Sequence, residues 1–275
     1  MSPEMSPTPE VPREVPRPAP PPFGARRAVK ILAAFLGVQL GVAVIAGVAV
    51  AVRNLKVAGP PSPDGIQLDP RLALGAAFAG ALLAGIVALR MVLRTFARPG
   101  GEGQGQAQAD DVKVAVGWTS ASRRQCARAA LTGLALVTAF VVAAAALPTR
   151  VHPMGPLASA ANAGGWARVL WALLAVCIAP PTEELVFRGV LYAGLARAWR
   201  PAAAGVATTA IFVALHATEV GSYWPAWLAI ATLGALALRA RVVTGSLLPA
   251  IALHASYNLG LVLVVLAQAA HGAHS

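Results

Sequence analysis

The chain has 275 residues, 57% of them hydrophobic and only 12% charged, a balance that excludes an ordinary soluble domain and fits a polytopic membrane protein. Its formal net charge of +11 raises nucleic acid as a partner. The basic residues, however, are scattered between apolar runs without interleaved stacking aromatics, so they read as topology signals and no nucleic acid is expected.

Residues 1–24 are proline-rich, carry Glu4, Glu10 and Glu14 against Arg13 and Arg17, and lack the apolar core of a secretory signal, which predicts a disordered cytoplasmic tail. A first apolar run over residues 31–52 follows Arg26, Arg27 and Lys30 and predicts a retained membrane helix with the amino terminus inside. The second span, about 72–92, closes with Arg90, Arg94 and Arg98 on one helical face. Residues 99–124 open with a Gly-, Gln- and Asp-rich stretch without hydrophobic period and read as a flexible cytoplasmic linker.

A third span covers about 129–147, and the loop to residue 165 is expected outside. The fourth helix starts near Arg168 and runs to about Arg197 and Arg200, long or broken at Pro180-Pro181. The fifth span, about 202–217, holds Phe212 and His216; the sixth, about 220–238, is short and opens with Tyr223, Trp224 and Trp227. The seventh follows Gly245, with Ser246 as its cap and Pro249 in its first turn, and reaches about residue 267 with His254 and Asn258 on board.

The fold class is therefore all-α, a polytopic transmembrane helix bundle of about seven spans, with six to eight compatible with the pattern. Under this arrangement sixteen of the 22 basic residues fall inside and five outside, and Arg188 lies within a span. The chain divides into a tail (1–24), two front helices (25–98), the linker (99–124), a rear unit (125–268) and a short tail (269–275). Cys126 and Cys177 are too few for a disulfide framework.

Of the eleven acidic residues, Glu183 and Glu184 alone fall inside a hydrophobic stretch, where ionisable groups are costly and persist with partners and a task. On an α-helix Glu184 and Arg188 share a face while Glu183 points about 100° away, so one carboxylate is neutralised locally and the other stays available. The prolines upstream remove two backbone donors and free carbonyls, which favours a water-accessible cavity. His254 and Asn258 are four residues apart on one face, suited to two donors aimed at one oxyanion, and Phe212 lies one turn from His216.

Three patterns now stand in order on separate helices: E-E-x-x-x-R (Glu183, Glu184, Arg188), F-x-x-x-H (Phe212, His216) and H-x-x-x-N (His254, Asn258). In these the chain resembles the CAAX prenyl protease and bacteriocin-processing (CPBP) family of intramembrane endopeptidases, which includes the type II CAAX prenyl endopeptidases, over roughly residues 125–268. The resemblance implies hydrolysis of a peptide bond in a membrane-associated protein or peptide. It implies that Glu183 and His216 activate water, His254 and Asn258 hold the oxyanion, and Glu184 with Arg188 support the site. No cofactor is expected. A divalent metal such as zinc is compatible with Glu and His but not favoured, since there is no H-E-x-x-H helix and asparagine is a poor zinc ligand.

Other readings compete. Glu184 and Arg188 alone read as a structural ion pair, His216 as a core histidine, and His254 with Asn258 as interhelical glue. Glu183, His216 and His254 would also serve as the titrating relay of a proton-coupled transporter, although no internal repeat is evident, and a scaffold or immunity protein would keep the motifs and act by binding. The expected location is a multi-pass position in the lipid bilayer of a bacterial inner membrane.

Overall fold

A computed structural model describes residues 24–58, 70–96, 113–147 and 164–272. The amino-terminal tail, the loops at 59–69 and 148–163, most of the linker and the last three residues lie outside these ranges. Among the described residues every regular element is helical. In chain order the long elements are α1 (Ala25–Ala58), α2 (Pro70–Phe96), α3 (Arg123–Ala146), α4 (Gly165–Leu195), α5 (Pro201–Ala214), α6 (Trp224–Thr244) and α7 (Leu248–Gly272).

All except α5 are long and apolar enough to cross a membrane. With 14 residues, α5 is about 21 Å long, short of the ~30 Å hydrocarbon core of a bilayer. The sequence assigned the short span to the sixth helix, starting near residue 220. In the structure Ala217–Val220 form a separate helical turn, Gly221 at φ 55° reverses the chain, and Pro225 in the first turn starts a full 21-residue α6.

Local chemistry explains three of the helix ends. Ser122 caps α3 through a reciprocal box with Gln125, its hydroxyl accepting from the Gln125 N–H while the Gln125 side chain accepts from its own. Gly245, at φ 70°, ends α6 in the left-handed conformation. The Ser246 hydroxyl accepts from Leu248 N–H at the start of α7, the capping role expected from sequence.

Part of the segment read as flexible linker is ordered. Residues 113–116 form a helical turn, and Gly117, at φ 78°, accepts from Leu247 N–H at 2.7 Å. Ser246 Oγ donates to Thr119 O at 2.6 Å and Thr119 Oγ1 to Gly245 O at 3.1 Å. The linker's end is thereby tied to the α6–α7 turn, whose polar groups it shares with Thr244, the residue whose Oγ1 bonds to both the N–H and the carbonyl of Ser246.

The core is divided among three apolar clusters. One joins Ile31 and Phe35 of α1, Ala84 and Ala88 of α2, and Val186, Phe187 and Leu191 of α4 with Phe212 of α5. A second packs Leu74 against Trp171 and Val262, and a third holds α3, α6 and α7 together through Val137, Leu233 and Leu253. The front pair therefore packs directly on the helix that carries the two glutamates. Gly85 of α2 approaches Thr182 so closely that a Cβ there would lie 2.7 Å from the threonine methyl.

Candidate active site

Helix α4 is α-helical over Gly165–Leu173 and Ala179–Glu184 but widens into π-helical turns at Leu174–Ile178 and Leu185–Leu191. The first widening leaves a carbonyl without a backbone donor. In this turn Ala179 N–H donates to Leu174 O, five residues back, so the next donor in that register, for Ala175 O, would be residue 180. That residue is proline and has no N–H. The vacated carbonyl is taken by Asn258 of α7, whose Nδ2 donates to Ala175 O at 2.8 Å. Thr182 Oγ1 donates to Ile178 O at 2.8 Å and lies 3.0 Å from Ala179 O.

Immediately after this turn stand the two carboxylates. Glu184 is fully buried and Arg188 nearly so, and Arg188 Nη1 donates to Glu184 Oε1 at 2.9 Å. The same oxygen lies 2.9 Å from His254 Nδ1, which donates to it as an N–H. Arg188 spends its second amino group on α6, where Nη2 donates to Gly234 O at 3.0 Å. Three helices are thus joined through one guanidinium and one carboxylate, the charge-assisted arrangement that a buried ion pair needs to offset its desolvation.

Glu183 is placed differently. Its side chain keeps 22% exposure, and its Oε2 stands 3.9 Å from His254 Nε2, beyond hydrogen-bond reach. That oxygen is buried and has no hydrogen-bond partner among the described residues.

His216 sits just past the end of α5, not within it, at φ −92° and ψ 4°. Its Nδ1 donates to the Phe212 carbonyl at 2.8 Å. Both imidazoles therefore commit Nδ1 to an acceptor and keep Nε2 for other partners. Between them lies the ring of Phe212, with centroids 4.6 Å from His216 and 5.8 Å from His254, an edge contact to Phe187 at 5.2 Å, and the Arg188 guanidinium carbon 4.4 Å above it. A fully buried ring touching both histidines and the cation restricts all three.

The structure thus gathers Glu183, Glu184, Arg188 and His254 directly, places His216 across the Phe212 ring, and brings in Asn258 through Ala175. Gly234 escaped the sequence reading, because a glycine in an apolar helix carries no side-chain signal and its contribution is a carbonyl. Among the described residues no three His, Cys, Asp or Glu side chains are grouped to hold a metal ion.

Comparison with known proteins bears on this arrangement. Residues 164–260 match the family model described as type II CAAX prenyl endopeptidase, Rce1-like, a stretch that contains all three motifs and is narrower than the 125–268 suggested by sequence. The resemblance to the CPBP family stands. No curated protein and no solved structure gives a significant match. The Rce1-like match supports a hydrolase of the protease class, and with six apolar helices it makes the chain an integral membrane protein.

Proposed function

We propose that the chain is an intramembrane endopeptidase that hydrolyses a peptide bond in a membrane-associated protein or peptide, with the polar cluster between α4, α5, α6 and α7 as its centre. The observation that carries this reading is the unequal treatment of the two carboxylates. Glu184 binds Arg188 and His254 through Oε1, its Oε2 having no hydrogen-bond partner among the described residues, while Glu183, its neighbour in sequence, bonds to neither and turns Oε2 to Nε2 of the same histidine at 3.9 Å.

In the proposed reaction Glu183, aided by His216 Nε2, takes a proton from water as its oxygen attacks the scissile carbonyl. His254, acting as an imidazolium whose second N–H lies on Nε2, and the second amide N–H of Asn258 stabilise the oxyanion, the first N–H of Asn258 being held by Ala175 O. Collapse of the tetrahedral intermediate breaks the C–N bond, and the proton held by the base passes to the leaving amine. Glu184 keeps His254 Nδ1 protonated, so that Nε2 faces the reaction, and Arg188 balances the buried charge. Water supplies the nucleophile and the mechanism is metal-independent; chelators should leave cleavage intact.

The excess of basic residues in the segments read as cytoplasmic supports an amino terminus on that side, and the host membrane is taken to be a bacterial inner membrane. The deciding experiment maps new peptide termini in membranes of cells carrying wild type, Glu183→Ala or His254→Ala at equal protein levels. Loss of one common set of termini in both variants is expected. Unchanged termini with loss of a proton or solute flux would replace the protease by a transporter.

A further inference from the structure

Helix α6 carries none of the three motifs, yet it bonds to the site through Gly234. Gly234 offers its carbonyl to Arg188 Nη2 at 3.0 Å, using the spare acceptor capacity of a helical C=O. Its missing side chain is equally used. A Cβ at this position would lie 3.1 Å from Thr209 Cγ2, 3.4 Å from Arg188 Nη2 and 3.4 Å from Phe212 Cδ1.

These contacts lead to both histidines by separate routes. Through Arg188 and the shared Oε1 of Glu184 the position of Gly234 reaches His254 Nδ1. Through Phe212 it reaches the imidazole of His216, whose ring lies 4.6 Å away and whose Nδ1 is bound to the Phe212 carbonyl. A small residue at a helix contact is ordinarily a matter of close packing. Here the carbonyl it brings within reach is the acceptor for a buried cation that has no other partner on α6 among the hydrogen bonds of the described residues.

We infer that Gly234 is a positioning residue, which fixes the directions of His254 and His216 together by holding Arg188 with its carbonyl and leaving room for the Phe212 ring. The catalytic part of this inference rests on the endopeptidase reading. The geometric part does not, and the two are tested apart.

The test uses the full-length protein, labelled with 15N-arginine and held in lipid nanodiscs, with Arg188→Lys identifying the guanidinium signal of Arg188. Gly234→Ala should shift that signal, and Gly234→Ala combined with Thr209→Ser, which removes the methyl at 3.1 Å, should return it towards the wild-type position. Ala235→Val, one residue along α6, should leave it in place. Cleavage measured on a peptide taken from the mapped termini should fall roughly ten- to hundred-fold in Gly234→Ala through kcat with KM retained, and recover in the double variant.

An unmoved Arg188 signal in folded Gly234→Ala, or a double variant that fails to restore it, overturns the inference. Should Glu183→Ala leave all termini unchanged, the endopeptidase reading falls, and the arginine signal still decides the geometry. Gly234→Ala is chosen over larger residues because the single methyl meets neighbours at 3.1–3.4 Å and leaves the helix contact able to form.

Discussion

His254 and Glu184 lie 70 residues apart in the chain and meet at 2.9 Å, Nδ1 to Oε1, with both side chains buried. The contact sets which nitrogen of His254 is free. Since a carboxylate only accepts, Nδ1 carries the hydrogen and Nε2 is turned to Glu183. Neighbouring glutamates therefore have unlike tasks, one holding the imidazole and one facing its reactive edge.

Substitutions at the two glutamates should separate activity from stability. Glu183→Gln is expected to leave thermal unfolding in detergent close to wild type while cleavage drops about 10²- to 10⁴-fold, the usual contribution of a general base. Glu184→Ala strands a buried Arg188 and should cost about 3–5 kcal/mol, the range for breaking a buried pair by removing one partner. Equal melting temperatures for the two variants would contradict this division.

The partnership of Asn258 with Pro180 gives a second test. Asn258→Leu removes the donor to the half-buried Ala175 O and should destabilise by about 1–3 kcal/mol, the cost of an acceptor left unsatisfied away from water. Adding Pro180→Ala supplies the backbone N–H that this carbonyl lacks, so stability should recover in unfolding experiments. Cleavage should remain lost, because the repaired backbone replaces only one of the two amide N–H groups.

Much of this arrangement was legible in the residues. The Glu184–Arg188 contact follows from a spacing of four on one helix, and the positions of His254 and Asn258 from the same arithmetic. The two widened turns of α4 were not readable as such. Pro180-Pro181 announced a break but not its form, and nothing in Leu185–Leu191, an apolar run with Arg188 and Gly189, distinguishes a π-helical from an α-helical turn. His216 was assigned to a helix that stops two residues earlier, since Ala, Leu and Ala around it carry no end signal. Backbone acceptors such as Gly234 O leave no mark in a sequence at all.

Phe212 should behave as more than filling. Phe212→Leu removes the ring beneath Arg188 and beside both imidazoles, a cation–π contact of about 0.5–2 kcal/mol, a tilted contact to His216 and an edge contact to His254. The expected result is a lower kcat with KM little changed, read on a peptide cleaved by the wild type, together with a modest loss of thermal stability. A change confined to KM would place the ring at the substrate instead.

Outside the matched region, Gly85 provides a test of whether the front pair matters to the site. A Cβ at residue 85 would approach Thr182 Cγ2 at 2.7 Å, one residue before Glu183, so Gly85→Ala should displace α2 or Thr182 and lower cleavage several-fold. Thr182→Ser removes the offending methyl and keeps the hydroxyl that bonds to Ile178 O. The double variant should therefore cleave better than Gly85→Ala alone.

The ion pair of Glu184 and Arg188 also has a bearing on biosynthesis. Both partners belong to one helix and stand four residues apart, so their charges cancel as soon as that segment coils, before α6 and α7 have been synthesised. A nascent chain delivering this segment to the bilayer presents a dipole in place of two isolated ions, which lowers the barrier to its lateral release into lipid. His254 and the Gly234 carbonyl then arrive at a partner already neutral, and the order of translation becomes the order in which the site is assembled.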